Sequence, residues 1–283
     1  MTTKITSVPL LSGATIPQLG LGTYKIVKDR GQAAIERALE LGYRHLDTAQ
    51  MYGNEEIVGR AIAASGLARE ELFVTTKLNN GNHERDAARA SFDESLEKLG
   101  LEYVDLFLIH WPLPELYGGD YPATWRVMQE FVEDGRAKTV GVSNFQVAHL
   151  QRLLDETGIA PAVNQIEMHP WFPNNEVRAW MHEHGGVVEA WSPLARGKLL
   201  GDDDALAQAS ERLGRSWAQL VLRWAIERGD VVIPKTVHEE RMLENLAIFD
   251  FELDDEARAA LDSLDMGPAG RTGANPDELN QIW

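Results

Sequence analysis

A chain of 283 residues with 44% hydrophobic and 25% charged residues is long enough to bury one large core, and α/β barrels of about 250 residues form single domains. The formal net charge of −17 argues against nucleic acid or an anionic membrane as a partner, since both demand a basic face. The absence of cysteine excludes disulfides, thiolate metal ligands and cysteine nucleophiles.

Residues 1–11 hold one lysine and no apolar core, so they do not read as a signal peptide. No apolar run approaches the ~18 residues needed to cross a bilayer, and a cytoplasmic location is expected. Residues 5–16 carry strand-like pieces around Ser12-Gly13 and predict a hairpin. Strands are then predicted over 19–23, 43–47, 72–77, 104–110, 139–143, 163–167, 187–191 and 231–235. Several, such as VDLFLIH and VVIPK, are nearly continuous apolar runs, as parallel strands covered on both faces are.

A helix is predicted after each strand: 31–41, 54–64, 87–99, 123–133, 147–156, 176–184, 216–227 and 239–246, with an extra one at 254–264. The first repeats Ala34, Ala38 and Leu41 at helical spacing. The second opens with Asn54 in a capping position and Glu55 and Glu56 in its first turn. This alternation predicts parallel βαβ units, and eight units close a barrel. An open doubly wound sheet would usually carry G-x-G-x-x-G after its first strand; here Gly20-Leu21-Gly22 is followed by Thr23-Tyr24-Lys25, and the third glycine is missing. The expected fold is a single (β/α)8 barrel over 1–283, with an N-terminal β-hairpin and an extra C-terminal helix.

Barrel enzymes place their chemistry at the C-terminal ends of the strands. Asp47, Lys77 and His110 end three consecutive predicted strands, and Tyr52 lies just past Asp47, so the four side chains can converge. A phenol, with an ordinary pKa of about 10, is a poor proton donor at neutral pH, and a neighbouring lysine cation lowers that value. Asp47 would keep Lys77 charged, and His110 would donate to a carbonyl oxygen. Together they make a general acid beside an oxyanion site, which reduction of C=O requires.

The phrases LDTAQMYGNE, TTKL, LIHWP, GVSNF, NQIEMHP and IPKTV resemble the aldo-keto reductases, particularly bacterial members similar to diketogluconate reductase, from about residue 8 to 276. The resemblance implies Tyr52 as proton donor, Asp47 and Lys77 as its tuners and His110 as the group positioning the carbonyl. It implies NADPH bound in an extended pose without a dinucleotide-binding sheet. Ser143, Asn144 and Gln165 match positions holding the nicotinamide carboxamide, Trp191 the stacking aromatic, and Ser192 and Leu194 the pyrophosphate contacts. Thr23 falls among the cofactor contacts, and Glu244 and Asn245 match positions near the adenine. Lys235, Thr236, His238 and Arg241 suit the 2′-phosphate, a basic cluster on an acidic chain, although His238 departs from the arginine of close relatives. Tyr24 and Trp111 are implied as apolar pocket walls. Asn79 stands where the family usually has tryptophan, which widens the pocket or makes it more polar. The tail 270–283 is a candidate cover for the opening, with Trp283 either a lid residue or a frayed end.

A small carbonyl substrate, no metal and a monomer are expected. The substrate stays open among small aldehydes, dicarbonyls and keto-sugars. A metal-dependent barrel enzyme using His45, Asp47, Glu167 and His169 is disfavoured, because His45 lies one layer too deep and Lys77 repels a divalent cation. A slow NADPH-binding sensor on the same fold is the other alternative.

Overall fold

The computed structural model describes residues 4–26, 29–198 and 204–282. The N-terminal hairpin pairs β1 (Ser7–Pro9) antiparallel with β2 (Thr15–Pro17), and Gly13 turns between them with a φ of 85° that suits glycine. Leu10 and Ile16 of the hairpin pack on Phe73, Val163, Val187 and Val231, the first residues of four barrel strands, and so plug the N-terminal end of the barrel.

Eight parallel strands follow: β3 (Leu21–Gly22), β4 (His45–Asp47), β5 (Phe73–Leu78), β6 (Val104–Ile109), β7 (Ala137–Ser143), β8 (Val163–Glu167), β9 (Val187–Trp191) and β10 (Val231–Val232), neighbours in that order. A parallel bridge between Leu19 and Val232 joins last to first. The Gly20 N–H donates to the Val232 carbonyl at 2.9 Å and the Val232 N–H to the Gln18 carbonyl at 2.8 Å, which closes a (β/α)8 barrel. Closure explains the two glycines of the GLG run. A Cβ on Gly20 would lie 2.8 Å from the His45 ring, and one on Gly22 would lie 2.7 Å from the Ile233 carbonyl oxygen.

The outer layer is α1 (Asp29–Leu41), α2 (Glu55–Ser65), α3 (Arg85–Leu99), α4 (Tyr121–Glu133), α5 (Val147–Thr157), α6 (Asn175–Glu183), α7 (Asp204–Leu213), α8 (Trp217–Glu227), α9 (Glu239–Leu246) and α10 (Asp255–Asp262). Helix α7 is absent from the sequence-based expectation. Its buried residues include only Leu206 and Ala209, a stripe too narrow to stand out, and it is held by α10's cap through Arg212 and Asp254 at 2.8 Å.

Two local expectations are corrected. The strand expected over 231–235 ends at Val232; Pro234 has no N–H to extend the ladder, so Lys235 lies beyond the strand. Asn54 makes no side-chain cap on α2. Its amide instead donates to the carbonyls of Thr23 and Ile26, both at 2.9 Å, and accepts from Thr48 Oγ1 at 2.8 Å, which ties the loop after β3 to the loop after β4.

Candidate active site

The barrel brings Asp47, Lys77 and Tyr52 into one hydrogen-bonded chain. Asp47 and Lys77 project inward from the adjacent strands β4 and β5 and are both buried. Lys77 Nζ lies 2.7 Å from both Asp47 carboxylate oxygens, 2.8 Å from the Thr48 carbonyl and 3.3 Å from Tyr52 Oη. Burial works to strip the proton from Lys77, but the Asp47 and Tyr52 oxygens outweigh it and hold the ammonium above its ordinary range. Tyr52 stands on one turn of 3-10 helix (Gln50–Tyr52) that ends at Gly53 with a φ of 63°. The sequence-based expectation that lysine lowers the phenol is only half met: burial dominates and pushes the Tyr52 hydroxyl up to about 12, with Lys77 pulling the other way. The phenol is therefore fully protonated at neutral pH.

His110 follows β6, buried, its ring centroid 6.0 Å from that of Tyr52. Burial, with help from the Lys77 charge, drives its pKa well below the ordinary value, so the imidazole is neutral. Asn144, in left-handed backbone with a φ of 65°, donates to the His110 carbonyl at 2.9 Å and to Ser143 Oγ at 3.0 Å. Trp191 Nε1 donates to Asn144 Oδ1 at 2.8 Å, which fixes the indole at the end of β9. Gln165 lies deeper, its amide nitrogen 2.7 Å from Asp47 Oδ2 and 2.8 Å from Glu189 Oε2. Thr23 Oγ1 donates to the Asp47 carbonyl at 2.9 Å.

Around the mouth, exposed Tyr24 packs on Tyr52 with ring centroids 5.1 Å apart. Trp111 is buried with Leu113 and the tail residue Leu279. Asn79 turns its side-chain oxygen onto the Asn80 N–H at 2.8 Å. The tail lies across this rim. Glu167, at the end of β8, accepts from the Thr272 N–H at 2.7 Å, Thr272 Oγ1 at 2.5 Å and the Gly273 N–H at 2.9 Å, with His169 Nε2 at 3.0 Å. Burial opposes its charge, yet these hydrogen bonds win and hold the carboxyl near 2. Farther along, Asn80 Nδ2 donates to the Gln281 carbonyl at 2.8 Å, and Trp283 lies outside the described residues.

On the far side of the mouth, the loop after β9 holds Ser192 in left-handed backbone with a φ of 49°, followed by half-buried Leu194. Lys235, His238 and Arg241 are exposed beyond β10 and in the first turns of α9, and Thr236 is buried, its hydroxyl accepting from the His238 N–H at 3.1 Å. Glu239 in that turn is paired with Arg37 at 2.7 Å. Asn245 is buried on α9 and Glu244 partly so.

Sequence reasoning missed Glu189, the Thr48 carbonyl and the Glu167 clamp on the tail. For Glu189 the sequence offers only a lone charge in the strand VVEAW; its place opposite Gln165 comes from the strand register.

The aldo/keto reductase family model matches residues 18–266. Methylglyoxal reductase DkgA of Salmonella typhimurium strain LT2 is 44% identical over 275 residues, covering 97% of this chain and 98% of that protein. Glyoxal reductase of Bacillus subtilis strain 168 is 44% identical over 275 residues, 96% and 97% of the two chains. A Bombyx mori aldo-keto reductase crystallised with NADP superposes with a TM-score of 0.85 at 38% identity, covering 93% of this chain and 94% of that one. A buried lysine–aspartate pair under a tyrosine at the mouth of a closed barrel, with full-length similarity to such reductases, leads to one conclusion: the chain belongs to the aldo/keto reductase family of oxidoreductases.

Proposed function

We propose that this chain reduces small aldehydes and 2-oxoaldehydes at the expense of NADPH, with Tyr52 giving the proton to the carbonyl oxygen. The observation that carries the reading is the Tyr52–Lys77–Asp47 chain, with the phenol protonated and the ammonium charged. The names of the DkgA and glyoxal reductase relatives support the substrate class.

When bound, NADPH supplies the hydride. The site residues fit that cofactor. Trp191 offers a fixed aromatic face, Ser143, Asn144 and Gln165 offer polar partners for a carboxamide, and Ser192 and Leu194 line the loop where a pyrophosphate would lie. Lys235, Thr236, His238 and Arg241 gather positive charge and a hydroxyl for a 2′-phosphate, and Arg37 offsets Glu239 beside them. Glu244 and Asn245 would face the adenine. As negative charge grows on the carbonyl oxygen, neutral His110 orients it and Tyr52 Oη hands over its proton. Lys77, held by Asp47, stabilises the phenolate that remains. Tyr24, Trp111 and the tail wall the pocket, and Asn79 leaves it open on one side. These residues all come from one chain, so the site is complete in a monomer.

The test is NADPH oxidation by the purified protein with methylglyoxal, glyoxal and a keto-sugar. The reading expects turnover with the first two at least tenfold better in kcat/KM than with the sugar, a margin of about 1.4 kcal/mol. Tight NADPH binding with no oxidation by any of them would contradict it.

A further inference from the structure

Behind the catalytic chain the barrel buries a second polar group that the reaction as described leaves unused. Glu189 is fully buried on β9. Its Oε2 accepts from Gln165 Nε2 at 2.8 Å, the same nitrogen that donates to Asp47 Oδ2 at 2.7 Å. Its Oε1 lies 3.4 Å from His45 Nε2. His45 Nδ1 faces the Pro17 carbonyl at 3.3 Å, an acceptor only, so Nδ1 carries the ring proton and Nε2 presents its lone pair. The Thr75 hydroxyl, 3.3 Å from Nε2, can donate to that lone pair, but a Glu189 carboxylate would still set two acceptors 3.4 Å apart, a repulsion that a carboxylic acid donating from Oε1 removes.

We propose that Glu189 is a positioning residue, held as a neutral carboxylic acid between His45 and Gln165, which fixes the Gln165 amide and so the Asp47–Lys77 pair in front of it. The inference rests on the reductase reading only for its kinetic consequence. Both hydrogens of the Gln165 amide are committed to the two carboxyl groups, so its carbonyl oxygen is the end left to meet a ligand. The titratable groups facing Glu189 are His45 and Asp47 on β4 and Lys77 on β5; β8 presents Gln165 and β10 the apolar Val231. Burial, then the Asp47 charge, push the Glu189 carboxyl up to about 8, and burial holds His45 down near 3, so the neutral pair persists at neutral pH. With Glu189 neutral, Asp47 and Lys77 balance. Ionised Glu189 adds a second buried negative charge beside Asp47, competes for Gln165 and opposes phenolate formation at Tyr52.

Difference infrared spectroscopy between the parent and Glu189→Gln tests the protonation state without reference to activity. The parent near neutral pH should show the carbonyl stretch of a buried carboxylic acid that Glu189→Gln lacks and that fades above about pH 8. No such band in the parent overturns the proposal, whether or not any carbonyl is reduced. For the positioning role, kcat of the parent should decline through the same pH range and that limb should move upward in Glu189→Gln. Glu189→Leu, which leaves Gln165 one partner short, should weaken NADPH binding roughly tenfold, the effect of one lost hydrogen bond. An unmoved limb in Glu189→Gln, or parent-like NADPH affinity in Glu189→Leu, would overturn the role.

Discussion

Lys77 is a buried cation whose charge depends on Asp47, which accepts from it at 2.7 Å through both oxygens. Removing one member of such a pair strands the other. Lys77→Met should lower stability by about 3–5 kcal/mol because the Asp47 charge is left uncompensated, and Asp47→Asn added to it should recover most of that loss. Neither variant should reduce carbonyls at better than about one-hundredth of the parental rate, since the phenol, already pushed up to about 12, loses the cation that opposes burial. Denaturant melts with kinetics on the same samples check both halves; an active double variant contradicts the proposed role of Lys77. Asp47, Lys77 and His110 were legible because each lies at or beside the C-terminal end of its strand, and strand order makes the three neighbours. The balance on Tyr52 was not legible, since burial depends on how the mouth packs. Nor was Glu189, whose meaning needs the register that sets it opposite Gln165.

The C-terminal tail is clamped at its start by one carboxylate and held farther on by Asn80, His149 and Trp111. Glu167 takes three hydrogen bonds from Thr272 and Gly273, and Gly273 fits only because it has no side chain: a Cβ there would sit 2.4 Å from the Trp191 ring. Glu167→Ala should raise amide exchange in residues 272–281 at least tenfold, because hydrogen bonds to a charged acceptor contribute about 1.5–3 kcal/mol each. Since Leu279 packs on Trp111, KM for the carbonyl should rise while kcat changes little. Unchanged exchange in the tail would show that other contacts hold it. Elements with a wide apolar stripe were legible. Helix α7 was not, and the ends of β3 and β10 were set by barrel closure and Pro234 rather than by apolar pattern.

The whole barrel holds several histidines neutral against their ordinary tendency. Burial keeps His45 near 3 and His83 near 4, while an unfolded histidine titrates at about 6.5. A group whose folded value is depressed contributes stability that is present above the unfolded value and lost as pH falls toward the folded one. The raised Glu189 carboxyl works the other way between about pH 8 and 4.5, but His45, His83 and His110 outnumber it, so calorimetric Tm should decline from about pH 6.5 downward, with Glu167, held near 2, adding to the loss below about pH 4.5. A Tm that stays flat between pH 6.5 and 4 would contradict this. The same closed barrel fixes the phenol over the ammonium, and the most direct test of that claim is single-turnover reduction of methylglyoxal by Tyr52→Phe. The rate should fall at least about 100-fold below the parent with NADPH affinity unchanged. Reduction at the parental rate without the hydroxyl would contradict it.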